Sequence, residues 1–161
     1  SVYEAVLKFR HYQCVVTGDS RDHAIDALER AVQLDPNYSL CWAMLSEAIC
    51  DAYGLRIDCQ ADVITPAKEF ARRAISLDAT CQHAHWALAY AHFHARERDG
   101  FLKCAESTIA LNPNKVPAPN LKAVSQTGQK KKNARCISSP PARTKPNALH
   151  NYWQKIRSQP S

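Results

Sequence analysis

Arg30-Ala31-Val32-Gln33-Leu34-Asp35-Pro36-Asn37 decides the fold, because the chain uses it three times. The segment returns as Arg73-Ala74-Ile75-Ser76-Leu77-Asp78-Ala79, and again as Ser107-Thr108-Ile109-Ala110-Leu111-Asn112-Pro113-Asn114. Leu77 and Leu111 stand 34 residues apart; Leu34 and Leu77 stand 43 apart, which is 34 with a 9-residue insertion. A helical pattern of that period, broken each time at Leu-Asp/Asn, marks a stack of helical hairpins.

Working outward, residues 2–16 read as a first helix, with Tyr3, Val6, Leu7, Arg10 and Cys14 at helical spacing. Thr17-Gly18-Asp19-Ser20 is a turn with capping residues, and Ala24, Ile25, Leu28, Ala31, Val32 and Leu34 form the stripe of a second helix. Pro36 is expected to stop it, since proline cannot continue a helix and restricts its predecessor. A third helix runs from Ser39 to about Tyr53 with Trp42, Leu45 and Ile49 on one face, and Gly54 is expected to close it. Residues 55–65 have no clean period and read as a loop. Pro66 opens a fourth helix that ends near Leu77. Gln82–Arg96 is a fifth, with a stripe of Ala84, Ala87, Leu88, Ala91 and Ala95; Arg98-Asp99-Gly100 is read as the turn before a sixth, Phe101–Leu111.

Over residues 1–114 the chain resembles tetratricopeptide (TPR) repeats. Trp42, Leu45 and Ser46 match the aromatic, Leu and small residue of a repeat's first helix, and Ala67, Ala71 and Ala74 match the small positions of its second. In the third repeat Leu88, Ala89 and Pro113 match, and His85 stands where an aromatic is expected, with Trp86 beside it. In the first, Ala24, Leu28, Ala31 and Pro36 match, while its first helix lacks the expected residues; Ala79 replaces the usual proline of the second. The resemblance implies an all-α solenoid of about three hairpins that binds a protein or peptide, with exposed stack ends that could pair copies of the chain. The ragged first repeat and the insertion in the second resemble TPR regions attached to bacterial adenylate-cyclase or winged-helix regulator domains.

Composition narrows the function. Four glycines in 161 residues leave no Gly-rich phosphate loop. Seven cysteines, an odd number without C-x-x-C spacing, read as free thiols of a reducing, cytoplasmic compartment. No apolar run reaches the roughly 20 residues of a membrane span. The net charge of +6 conceals a division: residues 1–114 carry 11 Lys/Arg against 15 Asp/Glu, and residues 115–161 carry 10 Lys/Arg and no acid.

TPR grooves are lined mainly by the first helix of each pair. On the fifth helix, the side opposite the alanine stripe carries His83, Trp86, Tyr90 and His94; on the third, the matching side carries Glu47 and Asp51. An aromatic wall beside an acidic step suits a peptide with apolar and basic side chains. The alternative is that Trp86 and Tyr90 pack against the next hairpin. His83, His85, His92, His94 and Cys81 lie within 14 residues, but helical geometry separates them. Two ligands at Cys81 and His85 do not make a metal site, and none is expected. No cofactor motif is present, and no orienting group can be named for a Cys–His nucleophile, so no enzyme is expected.

Residues 115–161 form a basic, Pro-rich tail, expected to be largely disordered from its low hydrophobicity and high charge. Lys130, Lys131, Lys132 and Arg135 could hold phosphates of nucleic acid or an anionic surface. Within 148–157, Leu149, Tyr152, Trp153 and Ile156 fall at amphipathic spacing. A solenoid needs its last helix covered, so this short helix is expected to fold back on the sixth as the cap, the alternative being a free amphipathic segment available to partners. Trp153→Ala should then lower the melting temperature; an unchanged melt removes the cap from consideration.

Overall fold

The computed structural model describes residues 1–15, 17–54 and 63–113, all within one compact unit. They form six helices: α1 (Val2–Val15), α2 (Gly18–Leu34), α3 (Ser39–Gly54), α4 (Ile64–Leu77), α5 (Gln82–His94) and α6 (Arg98–Leu111). Among the described residues there is no strand. Consecutive helices pair as three antiparallel hairpins, and each odd helix also packs on the hairpin before it, so α3 touches α1, α2, α4 and α5. The architecture is the all-α helical repeat. The 148–157 segment, the Lys130–Arg135 run and the 55–62 part of the loop lie outside the described residues.

Small residues let paired helices approach. Ala67, Ala71 and Ala74 of α4 are fully covered, and two serines of α3 donate across the gap: Ser46 Oγ to Ala67 O at 2.7 Å and Ser39 Oγ to Ala74 O at 2.9 Å. The third hairpin repeats the second bond at the matching place. Gln82, first residue of α5 as Ser39 is of α3, donates through Nε2 to Thr108 O at 2.9 Å. Both carbonyls also accept a C-cap backbone N–H, from Asp78 and Asn112, so in the second and third hairpins the first residue of the odd helix fills a second lone pair.

The recurring motif works through its acid rather than its proline. Asp35 and Asp78 each cap a helix with a backbone N–H to the carbonyl four residues back. Their carboxylates then accept from the backbone of Asn37 at 3.2 Å and Thr80 at 2.9 Å, folding the chain into the next helix as Asx turns do. Ala79 therefore serves as well as Pro36. Trp42 Nε1 donates to Pro36 O at 2.9 Å, and His85 Nε2 lies 2.9 Å from Ala79 O. A carbonyl only accepts, so His85 holds its proton on Nε2 and does the work of the indole N–H.

Several sequence expectations are corrected. In α1 the buried residues are Ala5, Phe9 and Tyr12, while Tyr3 and Leu7 of the expected stripe are exposed. That stripe would have buried Arg10, whereas the observed face buries two aromatics and gives Tyr12 an acceptor. Leu34 is 71% exposed, outside the core of α2. Gly54 ends α3 without a positive φ; a Cβ there would stand 2.9 Å from His94 Cε1, and that contact favours glycine. Arg98-Asp99-Gly100 is the first turn of α6, and the chain reverses at Ala95–Glu97. There Glu97 N–H reaches His92 O and Arg96 N–H reaches Phe93 O, a Schellman turn with Arg96 at φ 60°. An L-residue in that conformation carries a penalty of about 1 kcal/mol, which glycine avoids. Arg96→Gly should raise stability in urea unfolding by up to about 1 kcal/mol; a loss of stability would show that the Arg96 side chain holds the turn.

Candidate functional site

The centre of the site is α3. Glu47 and Asp51 lie one helical turn apart, so both project from one side, and their partners come from the helices flanking α3. Asp51 accepts from the phenol of Tyr12 on α1 at 3.2 Å and from the phenol of Tyr90 on α5 at 3.0 Å, one to each carboxylate oxygen. Glu47 accepts from Gln13 Nε2 on α1 at 3.2 Å, and its other oxygen stands 2.7 Å from His83 Nε2 on α5. That last pair is at ion-pair distance without hydrogen-bond alignment. Phe9 meets the edge of the His83 ring at 6.2 Å. One polar layer thus runs from the first hairpin through the second to the third.

Beside it lies a ring cluster. Tyr90 stacks on Trp86 at 5.8 Å with 13° between planes, and His94 meets Tyr90 at 4.6 Å and Tyr53 at 5.7 Å, both edge-on. Tyr53 and Gln13 are exposed, while His83, Tyr90, His94, Glu47 and Asp51 are partly covered. Trp86 is 7% exposed, so its ring supports Tyr90 from beneath and offers little surface of its own. The structure brings all six sequence-selected residues, His83, Trp86, Tyr90, His94, Glu47 and Asp51, to one neighbourhood. It adds Phe9, Tyr12 and Gln13 of α1, which the poor repeat match of that helix concealed. A signal was present: Tyr12 and Tyr90 each lie 39 residues from Asp51, on opposite sides.

Burial sets the electrostatics. It raises the Asp51 carboxyl to about 6, helped by the charge of Glu47 and opposed by the two phenols and by Arg21. Burial and the Asp51 charge push both phenols above their usual range. Burial lowers His94, whose Nε2 has no hydrogen-bond partner. Cys50 is buried behind this layer, its thiol pushed up and so unsuited to attack. His85 is committed to Ala79 O and His92 to Glu97. Among the described residues no group of three His, Cys, Asp or Glu is placed to hold a metal ion, and no helix is long and apolar enough to cross a membrane.

Comparison with solved structures identifies the fold. The chain is similar to the first TPR of Spaghetti (RPAP3) bound to HSP90 peptide SRMEEVD, at 20% identity and a TM-score of 0.58, covering 79% of this chain and 97% of that one. The NMR structure of the first TPR domain of human RPAP3 gives the same score and identity, covering 78% and 93%. MamA is similar at 22% identity and a TM-score of 0.53, covering 70% and 59%. No protein-family model matches the sequence, and no curated protein matches it significantly.

A carboxyl raised from 3.8 to about 6 makes the folded state hold a proton that the unfolded chain has released. Its contribution to stability is therefore full below about pH 4 and is lost as the pH rises through 6. Asp51→Asn keeps an acceptor for one phenol and a donor for the other and removes this titration. The melting temperature of Asp51→Asn relative to wild type should climb between pH 4 and pH 7; a constant difference would show that Asp51 titrates normally. With these bonds and ring contacts the described helices have the fold of a TPR domain.

Proposed function

We propose that this chain is a non-catalytic protein- or peptide-binding module, a scaffold or regulatory element, and that the α1–α3–α5 face is its binding surface. The observation that carries this is the convergence of side chains from three hairpins on one face. Phe9, Tyr12 and Gln13, Glu47 and Asp51, and His83, Tyr90 and His94 meet there, with Trp86 as their support. A solved structure of the same fold is bound to a peptide, which supports the reading. Polar groups already fixed by neighbours reduce the ordering cost of binding, and aromatic groups at such positions tend to dominate affinity. The face holds no activated nucleophile, which favours binding over chemistry.

The test uses peptides selected from a random display library against the full chain. His83→Ala/Tyr90→Ala should weaken the selected peptides by about 2 kcal/mol or more, as hot-spot truncations do, with helical content unchanged by circular dichroism. Selected peptides that bind wild type and the folded double variant equally would move the site elsewhere.

A further inference from the structure

We propose that the segment seated on the α1–α3–α5 face is cationic: an apolar peptide bearing Lys or Arg. This rests on the peptide-binding reading of that face and adds the partner's chemistry. From Ser39 to Gly54 and from Gln82 to His94, α3 and α5 contain no Lys or Arg, and Glu47 and Asp51 are their only acids. Both carboxylates face the shared surface, because their partners come from α1 and α5.

Those partners orient the charge without cancelling it. Tyr12, Tyr90 and Gln13 are neutral donors, and His83 is a cation only when protonated. Neither nearby fixed cation forms an ion pair with Glu47 or Asp51. Arg21 of α2, whose charge reaches Asp51, binds Asp22 at 2.6 Å and leaves its buried Nη1 without a hydrogen-bond partner, and Lys8 of α1 is paired with Glu4 at 2.8 Å. An ammonium or guanidinium from a ligand would supply the missing countercharge through strong charge-assisted bonds. Tyr90 and the exposed Tyr53 add aromatic surface for cation–π contact beside it. An acidic segment would meet like charge in a partly dry setting, the arrangement by which interfaces reject wrong partners.

The test is fluorescence anisotropy of the full chain with three labelled peptides sharing one apolar framework. One carries Lys and Arg, one Gln at those places and one Glu. The cationic peptide should bind most tightly, and Glu47→Gln/Asp51→Asn, folded by circular dichroism, should weaken it by roughly tenfold more than it weakens the Gln peptide. Residues 115–161 carry ten Lys/Arg and could attract the Glu peptide, so that peptide is judged by its response to the variant alone: it should bind the variant more tightly. Equal response of all three peptides to the variant, or preference for the Gln peptide, overturns the cationic partner and leaves peptide binding standing. If the cationic and Gln peptides both bind wild type and the folded His83→Ala/Tyr90→Ala variant alike, the binding face itself is wrong.

Discussion

The structure depends on what happens to the last carbonyls of each second helix. The carbonyls of Ala74 and Thr108 each accept from their C-cap backbone N–H, of Asp78 and Asn112, and keep a second lone pair for the neighbouring helix. Each later hairpin answers with the same two devices. The first residue of the odd helix donates to a carbonyl near the partner's end, Ser39 to Ala74 and Gln82 to Thr108. The residue three places on donates to the linker, Trp42 to Pro36 and His85 to Ala79. These bonds fix where each odd helix starts and how it rotates on its partner. Rotation then decides which residues point away from the pair.

The proposed binding face follows from that rotation. With Trp42 and Leu45 turned into the hairpin, Glu47 and Asp51 reach the side shared with α1 and α5. Burying a carboxylate costs several kcal/mol, and Asp51 recovers part of this from two phenols, each hydrogen bond to a charged group being worth about 1.5–3 kcal/mol. Its raised pKa shows that recovery is incomplete. An apolar residue would serve stability as well or better there.

Much of the fold was legible because the repeat lies in sequence and its small residues are chemically distinctive. Ala67, Ala71 and Ala74 could be placed at the hairpin contact from the resemblance to TPR repeats, and the fully covered side chains agree. The α1 face was misread because apolar residues lie on both its sides, and choosing between them requires knowing that Tyr12 finds Asp51 39 residues away. The α5–α6 turn was misplaced because Gly100 suggested a bend. Its actual constraint is space, since a Cβ there would come within 2.5 Å of His92 Nδ1. That Glu47 and Asp51 of α3 share a neighbourhood with His83, Tyr90 and His94 of α5 was legible from the TPR resemblance together with helical phase. That Trp86 lies under Tyr90 was not, because phase gives direction and says nothing of depth.

The most direct measurement is the structure of the full chain with a peptide obtained by selection. The account predicts a peptide lying across α1, α3 and α5, within contact of Tyr90 and His83, and with a side-chain nitrogen at hydrogen-bond distance from Glu47 or Asp51. A peptide seated on the outer sides of α2, α4 or α6, with the Tyr12–Asp51–Tyr90 bonds untouched, would contradict it.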